Sequence, residues 1–157
     1  MRLVYESTLS SLPDLYWKYI DEGAPLTVHH GDAHLGNFMF PIDTDKDHTI
    51  LLDWQSWGID VGISDLAHLM ALNWHPNQRR LMEKDLLVYY HNRLVKKGVA
   101  DYSWDECWFG YRMQVMWMLF VPIFWFSAGL PLDHCWRSME KSYAAFQDLQ
   151  CIELLDH

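Results

Sequence analysis

Between Arg112 and Asp133 the chain runs for twenty residues without a charge, and a stretch of that length must be shielded from water by a bilayer or by other protein. Gln114, Pro122, Ser127 and Gly129 interrupt the run, charges close both of its ends, and there is no second such run. It therefore reads as a buried helix within a helical core, with no membrane partner. The rest of the composition agrees, because 157 residues that are 50% hydrophobic suffice for one core. Twelve Lys and Arg against twenty-one Asp and Glu leave a formal net charge of −9, a field that repels phosphate backbones and excludes nucleic acid as a partner. Cys107, Cys135 and Cys151 have no C-x-x-C spacing and follow no signal segment, so the expected compartment is the reducing cytoplasm.

No repeat, low-complexity tract or Gly/Ser linker divides the chain, and residues 1–157 are expected to form a single domain. Leu12, Leu15, Tyr16, Tyr19 and Ile20 recur at helical spacing behind Ser11 and Pro13, predicting a helix that opens there and ends near Gly23. Short strands are expected at 26–28, 37–40 and 49–54, the last two joined by a polar turn over 41–48. The remainder, 64–150, reads as helices: 65–72, then 77–97 stopped by Gly98, then one opening at Ser103, then about 133–149. Ser103 and Glu106 have capping-box spacing. The fold class is thus α+β, mostly α, with a small β-hairpin element carrying the polar loop.

That loop, residues 29–37, is the densest set of reactive side chains: His29-His30-Gly31-Asp32-Ala33-His34-Leu35-Gly36-Asn37. Asp53 ends the apolar run Ile50-Leu51-Leu52 in the segment 50–55, where a strand would carry its carboxylate toward the loop. Phosphoryl transfer needs oxygen ligands for Mg²⁺ and a carboxylate that can take the proton of a hydroxyl nucleophile. Asp32 precedes Asn37 by five positions, the spacing of the catalytic Asp and metal-binding Asn in H-R-D-x-x-x-x-N.

His30-Gly31-Asp32-Ala33-His34-Leu35-Gly36-Asn37 resembles the H-G-D-x-H-x-x-N loop of aminoglycoside phosphotransferases and choline-kinase-like enzymes. The later motifs of those enzymes follow in order, as Leu51-Leu52-Asp53-Trp54-Gln55 and Asp65-Leu66-Ala67, and the Asp-Trp-Gln form is closest to the ecdysteroid-kinase-like group. The resemblance implies a protein-kinase-like C-terminal lobe, with ATP and Mg²⁺ as cofactors and a small hydroxyl-bearing molecule as acceptor. It makes Asp32 the catalytic base and Asn37 and Asp53 the metal ligands, while His30, His34 and Asp65 support the loop. The nucleotide-binding residues stay unassigned. A complete kinase of this type has a Gly-rich turn and a strand Lys ahead of the catalytic loop, whereas the residues before His30 hold one lysine, Lys18, in a predicted helix. The N-terminal lobe is therefore expected to be absent and turnover by this chain alone to be slight.

Two readings from other classes compete. His30, Asp32 and His34 alternate as His-x-Asp-x-His, which with Asp53, His68 or His75 would make a zinc-dependent hydrolase site. A lobe without its nucleotide clamp could instead serve as a non-catalytic binding or regulatory module that associates with itself through exposed apolar surface. Trp104, Trp108, Met116, Phe120 and Phe124 fall at helical spacing and read as interior packing. The acidic balance favours cationic alcohols, such as aminoglycosides or choline-like amines, as acceptors.

Overall fold

Six helices supply most of the structure, and the local signals that bound them differ: side chains cap the starts of the helices at Pro76 and Trp104, and left-handed glycines follow the ends of those at Asp21 and Lys96. The computed structural model describes residues 1–45 and 47–155; Lys46, inside the expected 41–48 turn, and residues 156 and 157 of the expected domain lie outside the described residues. Helix α1 (Arg2–Asp21) leads into strand β1 (Leu26–His29), followed by β2 (Phe38–Met39), β3 (Ile50–Leu51) and β4 (Gly58–Val61). Helix α2 (Ser64–Ala67) continues as a π turn over His68–Asn73. Then come α3 (Pro76–Lys96), α4 (Trp104–Trp117), α5 (Val121–Ser127) and α6 (Leu132–Asp148), and a 3₁₀ turn over Cys151–Leu155 ends the described chain.

Several expectations change on contact with the structure. Helix α1 opens nine residues before Ser11 and contains Pro13 in its interior, because the stripe that buries Leu12 and Tyr19 extends back to buried Thr8. Proline costs the helix one hydrogen bond there, and packing against α4 and the C-terminal 3₁₀ turn offsets that loss. Strand β4 was not expected. It pairs antiparallel with β1, Val28 opposite Ile59, whereas β2 pairs with β3, Phe38 opposite Leu51. The 29–37 loop therefore does not sit inside one hairpin; it passes from one two-stranded sheet to the other. The expected strand 49–54 is cut to two residues because Asp53 adopts a left-handed conformation (φ 60°, ψ 58°) and a 3₁₀ turn, Trp54–Ser56, follows.

The uncharged run is not one helix. Pro122 has no N–H to give to Met118, so α4 ends at Trp117 and α5 restarts with the proline in its first turn. The first half is core: Met113, Val115, Met116 and Leu119 are fully buried. The second half is largely surface, and Phe124, read from sequence as interior, is 69% exposed. Among the described residues no helix is long and apolar enough to cross a membrane. The three cysteines are free and buried.

The capping box at Ser103 is present in full: Ser103 Oγ accepts from the Glu106 amide at 3.2 Å, and Glu106 accepts from the Ser103 amide at 2.6 Å. Helix α4 packs on α1, α2, α3 and α6 and is buried on most of its circumference. Where α3, α4 and α6 meet, Arg79, 1% exposed, donates to both Glu83 oxygens at 2.6 and 2.7 Å and to Asp148. Tyr111 donates to Glu83 at 3.1 Å. Glu83→Gln leaves the buried guanidinium with Asp148 as its one remaining carboxylate and should destabilise the chain by about 2 kcal/mol. Urea unfolding at pH 7 measures this, and the double variant Arg79→Met/Glu83→Met should lose less than the single one.

Candidate active site

The loop between β1 and β2 has one regular turn, a 3₁₀ turn over Leu35–Asn37, so side chains must satisfy the backbone ahead of it. Asp65, in the first turn of α2, accepts from the His30 amide at 2.7 Å with one oxygen and from the Gly31 amide at 3.0 Å with the other. Gly31 has φ +81°, and a side chain there would run into the Ser56 carbonyl, so only glycine allows the chain to turn at this point. His30 is fully buried: its Nδ1 accepts from the Asp32 amide at 3.2 Å and its Nε2 faces the Leu52 carbonyl at 2.6 Å. Those partners fix the neutral tautomer with the proton on Nε2. Asn37 donates from Nδ2 to the Asp32 carbonyl at 2.9 Å, and the Leu52 amide donates to the Asn37 carbonyl at 2.8 Å.

These bonds tie His30, Asp32, Asn37 and Asp65 into one unit. Asp53 follows directly on Leu52, which is bonded to both His30 and Asn37. Asn37 is buried, and with Nδ2 committed to Asp32 its Oδ1 has no partner among the described residues. Asp53 is exposed and its side chain does not cap the 3₁₀ turn that follows it. Two hard oxygen donors with free lone pairs fit Mg²⁺, which takes one or two protein oxygens and completes its shell with water and phosphate. The zinc arrangement fares differently. Both His30 nitrogens are committed, His34 Nδ1 accepts from the Gly36 amide at 3.0 Å, and His75 Nδ1 accepts from Asn77 at the start of α3. Among the described residues no three His, Cys, Asp or Glu side chains form a group that could hold a metal ion.

Asp32 stands between two imidazoles, with His34 Nε2 3.7 Å from one carboxylate oxygen and His68 Nε2 3.7 Å from the other. Burial pushes the His68 imidazole below its usual 6.5, against the opposing pull of the Asp32 carboxylate. His68 thus faces Asp32 as a neutral ring at pH 7. Sequence reasoning considered His68 only as a zinc ligand. The signal it carried was its spacing: it lies three residues after Asp65, on the same helical face, and that face meets the loop.

Asp32 and His68 open on a cleft of about 290 Å³. One wall is apolar, with Met118, Val121, Phe124 and Trp125 from the second part of the uncharged run; the other is polar and includes Asp60 and Gln114. Neither of those two was singled out from sequence. Asp60 lies on the unexpected strand β4, one position from Ile59, and so on the opposite face.

The family model described as the ecdysteroid kinase-like family matches residues 7–99, from within α1 to just past α3 and across the whole loop. No curated protein and no solved structure matches the chain. Because Asp65 alone holds the His30 and Gly31 amides, Asp65→Asn should raise the exchange rates of those two amide protons by about tenfold, a loss of one charged hydrogen bond. Hydrogen-exchange NMR reads this directly, with the amides of α4 as the unchanged reference.

Proposed function

We propose, from the premise that the chain belongs to the ecdysteroid kinase-like family, that it is a kinase-like C-terminal lobe whose reaction moves the γ-phosphoryl group of ATP to a hydroxyl group of a small molecule. The family lies among the kinase-like phosphotransferases. In this reading residues 1–157 act as one unit, comprising the catalytic loop 29–37, the metal-binding segment 50–55 and the helical remainder 64–150.

The observation that carries the reading is the anchoring of the loop. Asp65 and Asn37 fix its backbone from both sides, and among the described residues the Asp32 carboxylate accepts no conventional hydrogen bond while lining the cleft. A carboxylate in that position can orient the acceptor hydroxyl and take its proton as the oxygen bonds to phosphorus. His34 and His68 flank the carboxylate, each 3.7 Å from one of its oxygens, His68 as a neutral ring. Asn37 Oδ1 and the Asp53 carboxylate would hold Mg²⁺, which when bound offsets phosphate charge. The wall of Val121, Phe124 and Trp125 excludes water from the acceptor side.

Most of the catalytic gain in phosphoryl transfer comes from positioning. Ahead of Asp32 the described chain consists of α1 and β1, and Lys18 lies on α1 rather than on a strand that could reach phosphate. On this reading ATP with Mg²⁺ binds weakly to the 157-residue chain alone. Asp32→Asn should lower phosphoryl transfer by about a thousandfold or more while leaving the fold intact, and Asp53→Ala should raise the Mg²⁺ concentration needed for half-maximal activity. Transfer assays with Mg²⁺ titration and circular dichroism check both, and an active Asp32→Asn protein removes Asp32 from the role.

A non-catalytic reading has one observation in its favour. Val28 and Ile59, paired across β1 and β4, are 54% and 60% exposed, and Met39 and Ile50, paired across β2 and β3, are 55% and 53% exposed. A module that associates through this surface should sediment as a concentration-dependent dimer, and Val28→Lys should return it to monomer.

A further inference from the structure

His68 lines the cleft but is only 6% exposed, and its two ring nitrogens stand in different surroundings. Nδ1 is buried with no hydrogen-bond partner among the described residues, whereas Nε2 faces Asp32 Oδ1 at 3.7 Å. Burial keeps the ring neutral at pH 7, against the pull of the Asp32 carboxylate and the Ala33 backbone. A neutral imidazole carries one ring proton. On Nδ1 that proton would be a buried donor with nothing to receive it, and on Nε2 it meets a carboxylate, so His68 is an Nε2–H donor toward Asp32. The distance is longer than a hydrogen bond, and bonds of this kind in unliganded sites commonly tighten only when the site fills.

The backbone departs from regular geometry to put the ring there. The chain changes from α to π hydrogen bonding at His68, an uncommon arrangement that occurs frequently at functional sites. Side chains close the turn: Asn73 Nδ2 donates to the His68 carbonyl at 3.0 Å, and Lys141 of α6 donates to the Asn73 carbonyl at 3.0 Å. Trp125 packs edge-on to the imidazole, with ring centroids 6.1 Å apart. His34, which faces Asp32 Oδ2, differs: its side chain is 40% exposed, and a ligand can displace it. We propose that His68 is a positioning residue for Asp32: its Nε2–H closes on Oδ1 and leaves Oδ2 as the oxygen that serves the acceptor. In the transfer the acceptor oxygen bonds to the γ-phosphorus, the bond to the ADP oxygen breaks, and the hydroxyl proton passes to Oδ2; His68 keeps its own proton throughout. The inference rests on the reading of Asp32 given above.

Long-range ¹⁵N NMR of the full 157-residue chain at pH 7 should show His68 with a bare Nδ1 and a protonated Nε2, and three-bond couplings across the Asp32 Cα–Cβ bond should report a single rotamer. His68→Gln, whose amide nitrogen can stand where Nε2 stood, should keep that rotamer, and His68→Phe, which fills the space without a donor, should average it. Phosphate release from γ-labelled ATP with Mg²⁺, water serving as the acceptor, should fall about tenfold in His68→Phe, the worth of one hydrogen bond to a charged group, and stay near the wild-type rate in His68→Gln. A proton on Nδ1, an Asp32 side chain already averaged in the wild-type chain, or a folded His68→Phe protein that keeps the single rotamer overturns the assignment. Should His68→Phe fail to fold, the wild-type tautomer and rotamer decide it. A His68→Gln protein as slow as His68→Phe makes His68 a proton acceptor instead of a donor and also overturns it. An Asp32→Asn protein that keeps phosphoryl transfer overturns the catalytic reading and leaves the tautomer and rotamer standing, so the two failures are distinct.

Discussion

One carboxylate organises the active centre. Asp65 accepts two adjacent backbone amides, His30 and Gly31, at the point where the chain leaves β1 and turns through a left-handed glycine. Two buried N–H groups that sheet pairing cannot reach would otherwise be unsatisfied, and each would cost about 1 to 3 kcal/mol. Asp65 can do this because it sits in the first turn of α2, where the helix dipole favours its charge, and because Ser64 and Ala67 on either side of it are buried against the body of the protein. The loop is thus tied to the helical core rather than to its own strands, which are too short to hold it.

From that anchor the other distances follow. With His30 fixed, its ring spans from the Asp32 amide to the Leu52 carbonyl and sets the spacing between the loop and β3. Asn37 closes the same circuit from the far end, donating to the Asp32 carbonyl and accepting from Leu52. The circuit uses backbone groups, the Asp65 carboxylate, the His30 ring and Asn37 Nδ2. The Asp32 and Asp53 carboxylates and Asn37 Oδ1 take no part in it. On the proposed reading, a scaffold satisfied in this way leaves three side chains to ligands that bring their own positive charge.

The parts of this arrangement legible in the sequence were those set by local chemistry. The Ser103 capping box, the stop at Gly98 and the loop with its Asp32–Asn37 spacing depend on residues within five positions of one another. What could not be read depended on distant contacts. Strand β4 exists because β1 needs a partner, and Gly58, Ile59 and Asp60 have no strong strand signature by themselves. The start of α1 was missed because Pro13 resembles a first-turn proline, and only the burial of Thr8 against the body of the protein carries the helix through it. Asp53 was expected at the end of a straight strand, yet it takes the left-handed conformation, which aspartate tolerates better than most residues. That turn redirects the chain into a 3₁₀ segment at the loop.

The charge-free run shows how one sequence feature serves two ends. Up to Trp117 it is a nearly all-round buried helix, the element against which α1, α2, α3 and α6 pack. A helix continued in register would have carried the remaining aromatics away along the same axis. Pro122 prevents that by withholding a hydrogen bond to Met118, and the restarted α5 lays Val121, Phe124 and Trp125 along the cleft opposite Asp60. Gln114, one turn before the break, joins the two parts: it is buried in the helix, donates to Asp60 and lines the cleft. The glutamine and the proline that interrupt the charge-free run are thus the same residues that turn a hydrophobic stretch into one wall of the cleft.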